Sequence, residues 1–248
     1  MKPRSVTRPL LFVVLVSVIF MLCHLLWRWW LPDAAEETRS LLEKATSCLF
    51  ALALTWWLGW WREAGLTVAP QPRTWLVFLP LAVIPALMLV FSEFGPATAG
   101  RLLFLAAVAL MTGFAEEVVF RGVAVHALLP GGVLRAALLS SVIFGLLHLA
   151  NLAAGAEPVA TGLQVVFAGL FGFAAAAPRL VTGTLWPLVA IHALQDFLAF
   201  WSAGGLAEKA TLKAGEVVAP LVIMMPITGF GLWLLRRSAR AGGEERAG

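Results

Sequence analysis

Apolar and polar positions fall along this chain in long alternating blocks. Eight apolar runs, 9–27, 42–61, 74–91, 102–125, 136–153, 162–178, 185–201 and 217–235, are each 17 residues or longer. Runs of that length fit helices that cross a bilayer, and the two-residue alternation of barrel strands is missing from them. The pattern therefore predicts an all-α, polytopic integral membrane protein of about eight transmembrane helices. Residues 1–248 read as a single membrane domain, and 236–248 as a disordered cytoplasmic tail.

Composition agrees. The chain is 60% hydrophobic and only 13% charged, with mean hydropathy +0.89. A soluble domain carries roughly 25% charged residues. Tryptophans mark the ends of the runs: Trp27, Trp29 and Trp30 close the first, and Trp56, Trp57, Trp60 and Trp61 the second. Indole rings favour that interfacial level. With the N-terminus in the cytoplasm, eleven Lys and Arg fall inside and six outside, Arg121 lying within the membrane. That bias favours both termini inside. It also accounts for the net charge of +4 without a nucleic-acid partner. The first run is too long for a signal-peptide core and reads as an uncleaved helix. The composition, rich in Ala, Gly, Arg and Leu, points to a bacterial inner (plasma) membrane.

With the loops and the run ends at Glu43 and Lys44 set aside, few ionisable residues stand in or directly beside the runs: His24, Glu116, Glu117, Arg121, His126, His148, His192 and Asp196. A charge at mid-bilayer costs about 2.5–3.5 kcal/mol on insertion scales, so these groups are expected to face one another. Helical spacing supports this. Glu117 and Arg121 are four apart and can pair. Glu116 is turned about 100° from Glu117 and left free to point elsewhere. Phe144 and His148, and His192 and Asp196, repeat the four-residue spacing on two further helices. Three helices would thus bring a free carboxylate, two imidazoles and a second acid together. His24 and His126 have no acidic partner at helical spacing and read as packing residues, as do Cys23 and Cys48.

The three segments "EEVVFR" (116–121), "FGLLH" (144–148) and "HALQD" (192–196) resemble, in order, the E-E-x-x-x-R, F-x-x-x-H and H-x-x-x-N/D motifs of one family. It is the CAAX protease and bacteriocin-processing family of intramembrane endopeptidases, which includes the type II CAAX prenyl endopeptidases. The resemblance implies a catalytic region at 102–201. It assigns Glu116 to activating a water and His148 to holding it. Glu117 and Arg121 become the supporting pair, and His192 with Asp196 the oxyanion-stabilising pair. Asp196 stands where the family often has asparagine. It either donates when protonated or serves only to orient His192.

Two histidines and a carboxylate (Glu116, His148, His192) would also suit a zinc ion, although the glutamate mechanism without a cofactor is favoured. The expected substrate is a membrane protein or lipidated peptide in the lipid bilayer. CAAX-type processing, bacteriocin maturation or immunity, and removal of C-terminal sorting tails all fit. The competing functions are a proton-coupled transporter, since buried Glu, His and Asp also build proton relays, and a non-catalytic scaffold of the same family.

Overall fold

The computed structural model describes residues 4–153, 155–206 and 214–244. All regular structure among them is helical: α1 (Pro9–Trp30), α2 (Glu36–Leu58), α3 (Pro72–Phe91), α4 (Ala99–Glu117), α5 (Val125–Leu128), α6 (Val133–Leu147), α7 (Ala150–Ala153), α8 (Pro158–Thr182), α9 (Trp186–Ser202) and α10 (Ala214–Glu244). A seven-residue π-helical segment, Val118–Ala124, joins α4 to α5, and a 3-10 turn, Leu129–Gly131, comes after α5. Among the described residues, seven stretches are long and apolar enough to cross a membrane. The expected crossing at 185–201 is α9, whose 17 residues rise about 25 Å, close to the lower limit for a span.

Local chemistry sets the helix ends. Prolines occupy the first turn of α1, α3, α8 and α9, where a missing N–H costs nothing. Gly59 and Gly183, with φ of 71° and 75°, end α2 and α8 in the left-handed conformation. Glu157 caps α8 by accepting from the N–H groups of Val159 at 3.0 Å and Ala160 at 2.6 Å. α3 is helical through Pro80 and Pro85. The last helix continues to Glu244, across part of the stretch expected as a tail, and residues 245–248 lie outside the described residues.

The helices pack in both parallel and antiparallel pairs, α10 running parallel to α8 with Thr228 beside Leu170 and Gly231 beside Ala174. α4 lies along α9, α8 sits between α6 and α10, and α2 runs between α1 and α4. Leu49, Leu76, Phe91 and Leu103 point outward from the bundle, as lipid-facing side chains do. Inside, Phe20, Phe78, Phe144 and Phe171 form one buried cluster with Val118, Val119 and Phe120 of the π-helical segment. Gly113 sets the approach of α4 to α9. A Cβ there would stand 3.0 Å from the backbone nitrogen of Ala193, the residue after His192.

The candidate active site

Glu116 and Glu117 end α4, and the chain enters its π-helical segment at the next residue. Such segments are frequent at functional sites. Glu117 is wholly buried and Arg121 nearly so. Their expected pairing is present, with Arg121 Nη1 3.2 Å from Glu117 Oε1. The guanidinium also lies 4.0 Å from the centre of the Phe144 ring. Gly172 of α8 makes room for it, since a Cβ there would fall 2.9 Å from Arg121 Nη2.

Glu117 reaches across to α9 as well. Its Oε1 accepts from His192 Nδ1 at 2.8 Å. With its Nδ1 proton held this way, His192 turns Nε2 toward the remaining acids, 3.8 Å from Glu116 Oε2 and 3.6 Å from Asp196 Oδ2. Both separations exceed a direct hydrogen bond and leave room for an oxygen of water or substrate to bridge.

His148 caps the C-terminus of α6. Its Nδ1 lies 3.0 Å from the Phe144 carbonyl, which can only accept, so Nδ1 carries the proton and Nε2 of the neutral ring is an acceptor. Phe144 thus contributes three contacts. Its carbonyl orients His148, one face of its ring covers Arg121, and the ring stacks edge-on with His148 at 5.0 Å.

Glu116, His148, His192 and Asp196 line one cavity of about 250 Å³. The structure thus brings together the four residues expected to act, with Glu117 and Arg121 directly behind them. The same cavity has a polar wall from α1 and α2, which the sequence assigned to packing or to loops: His24, Arg28, Glu43 and Lys44. Lys44 Nζ lies 3.3 Å from His24 Nδ1. An ammonium can only donate, so Nδ1 accepts and His24 carries its proton on Nε2. Arg28 Nε faces Glu43 at 3.7 Å. No local signal marks His24, because its partner is twenty residues away on another helix. His126 does match its packing assignment, edge-on to Trp60 at 4.6 Å.

The zinc alternative requires three of these side chains to share a point. Among the described residues no three His, Cys, Asp or Glu side chains converge where they could hold a metal ion. The set Glu116, His148 and His192 therefore does not form a chelate in this geometry.

The fold is a polytopic helical bundle with acids and imidazoles gathered around an internal cavity. Residues 98–198 match the family model of the type II CAAX prenyl endopeptidase Rce1-like proteins. This segment is an Rce1-like domain of the CAAX protease family, and it contains all three motifs. The match likens this segment to CAAX-type intramembrane proteases in general, and the helices long and apolar enough to cross a membrane among the described residues agree with a multi-pass membrane protein. No curated protein matches the chain.

Proposed function

We propose that this protein is an intramembrane endopeptidase that hydrolyses a peptide bond with a water activated by Glu116. The observation that carries the reading is the convergence of Glu116, His148, His192 and Asp196 on one cavity. Glu116, like Asp196, has no protein group within hydrogen-bond distance among the described residues, and it faces His192 Nε2 at 3.8 Å. It is free to take a proton from water, and His148 Nε2 is available to accept the second hydrogen and fix the water's orientation. The resulting hydroxide attacks the carbonyl carbon. The oxyanion then gains a donor from His192 Nε2 when that ring is an imidazolium. The protonated Glu116 returns its proton to the leaving nitrogen as the C–N bond breaks.

Glu117 and Arg121 are positioning residues in this scheme, because Glu117 holds His192 by Nδ1. Asp196 lies nearest Nε2 of the same ring, which supports an orienting and charge-balancing role over direct donation. The mechanism uses no metal. The charge distribution supports both termini lying in the cytoplasm.

The test compares protein termini in membranes from cells carrying the native chain and cells carrying Glu116→Gln at equal abundance. Termini that appear only with the native chain are expected, and they name the substrate. Matching sets of termini across growth conditions would overturn the protease reading.

A further inference from the structure

The cavity has a direction. Its walls come from helix halves that share one face of the membrane: the C-terminal halves of α1 (Phe20 to Arg28) and α9 (His192 to Phe200), the N-terminal turns of α2 (Ser40 to Lys44), and the break after α6 at His148 and Asn151. α6 ends at Leu147, and its C-cap His148 and, in α7, Ala150 and Asn151 line the cavity. The contacts on this face run around its rim. Arg101 pairs with Glu37 at 3.1 Å, and Trp201 Nε1 donates to the Gly95 carbonyl at 3.0 Å.

The opposite end of the bundle is stitched shut. Arg4 N–H donates to the Leu58 carbonyl at 3.0 Å, and the Trp60 indole to the Arg4 carbonyl at 3.0 Å. Leu185 N–H reaches the Gly65 carbonyl at 3.1 Å, the Trp186 indole the Leu66 carbonyl at 3.0 Å, and Arg179 the Glu63 carbonyl. None of these residues lines the cavity. The start of α1 and the end of α10 lie at this closed end.

The structure also sharpens the charge asymmetry. Arg28 and Lys44 line the cavity instead of an outer loop, and Arg179 is buried. With these three set aside, ten Lys and Arg belong to the closed end by their place in the sequence and four to the open face. Positive charge near span ends marks the cytoplasmic side.

We propose that the catalytic cavity opens away from the cytoplasm, and that its substrate is the membrane-anchored segment of an exported protein, cut at the extracytoplasmic face. The substrate half of this inference rests on the protease reading; the direction of the opening does not. A lipidated C-terminus held at the cytoplasmic leaflet would meet the stitched end and not the acids.

Thiol accessibility tests it. Cys23 and Cys48 are the only cysteines, and replacing both with alanine gives a background for single reporters. Ala150→Cys sits in the cavity wall, and Pro130→Cys lies on the exposed turn at the closed end. Right-side-out spheroplasts are treated with a membrane-impermeant maleimide before and after lysis. The expected result is labelling of Ala150→Cys before lysis and of Pro130→Cys only after it. The reverse order, or labelling of both before lysis, would overturn the inference. Ser202→Cys, exposed at the open end of α9, repeats the test should Ala150→Cys fail to fold. Labelling does not depend on catalysis. Reversed labelling with cleavage intact sinks the sidedness alone, whereas normal labelling with no native-specific termini sinks the protease reading alone.

Discussion

Two adjacent glutamates should respond to the same substitution in opposite ways. Glu117 is fully buried, and its Oε1 meets Arg121 at 3.2 Å and His192 at 2.8 Å. Glu117→Gln keeps the shape but removes the charge, leaving Arg121 as a buried cation with only the Phe144 and Phe171 rings against it. Removing one member of a buried pair costs about 3–5 kcal/mol. For a chain of this length each kcal/mol moves the melting temperature by about 2–4 °C, so a fall of roughly 6–20 °C is expected. Glu116 keeps 14% of its side chain exposed and has no hydrogen-bonded partner to lose. Glu116→Gln should melt within about 0.5 kcal/mol of the native chain, while losing a general base worth about 10²–10⁴ in rate. The assay is a tryptophan-fluorescence melt in detergent alongside turnover of the substrate that the terminus comparison names. If Glu116→Gln melted as low as Glu117→Gln, or if Glu117→Gln melted with the native chain, the division into a working and a supporting carboxylate would be wrong.

Four further outcomes are expected. Gly172→Ala forces a methyl against Arg121 Nη2 and, at 3.3 Å, the backbone of Ser141; it should cost about 1–3 kcal/mol and lower turnover by moving Arg121 off Glu117, both read from the same melt and assay. Ser140 Oγ donates to the Phe120 carbonyl inside the π-helical segment at 2.8 Å, whereas Ser141 bonds back to Ala137 in its own helix. Ser140→Ala should therefore destabilise by about 1 kcal/mol and more than Ser141→Ala, and equal melts would contradict this. Prolonged treatment with a metal chelator should leave cleavage unchanged, and a loss restored by added zinc would refute the glutamate-activated water. The carboxyl of Glu157 is held below its ordinary range by the N–H groups of Val159 and Ala160. Its folded pKa is depressed, so its contribution is full above the ordinary carboxyl pKa and is lost as pH falls through the lowered value. Amide exchange at Val159 and Ala160 should accelerate in that acid window, and Glu157→Gln should abolish the pH dependence.

Hydrophobic run length made the helices readable, because a bilayer demands continuous apolar segments and little else produces them. Four-residue spacing made the Glu117–Arg121 pair readable for the same local reason. The contacts that proved unreadable are long-range. The bond from Glu117 to His192 spans 75 positions, and the one from Lys44 to His24 spans 20. No periodicity within α4 or α1 encodes either of them. The π-helical segment was equally hidden. All seven of its residues are buried, so they show no polar face whose phase could betray an extra residue in the turn. Gly172 belongs to none of the three motifs, and the position of Arg121 gives it a specific task.

The π-helical segment and the shared oxygen of Glu117 bear on one problem. A membrane interior tolerates charges only in compensated groups, yet a hydrolase needs one carboxylate left uncompensated by any fixed partner. Bonding from residue i to i+5 begins immediately after Glu117 and rotates the residues beyond it by about one residue's turn, or 100°, relative to an unbroken α-helix. Ser140 supplies a donor to the Phe120 carbonyl within that irregular ladder. Arg121 then neutralises Glu117 from behind, and the same oxygen aligns His192 from the front. Compensation and alignment are thus one interaction, made by the glutamate that faces away from the cavity. Glu116, one position earlier on regular α-helix, faces the cavity with no group to neutralise. The "EE" pair works as two residues because adjacent helical positions face about 100° apart, so Glu117 meets Arg121 and His192 while Glu116 lines the cavity.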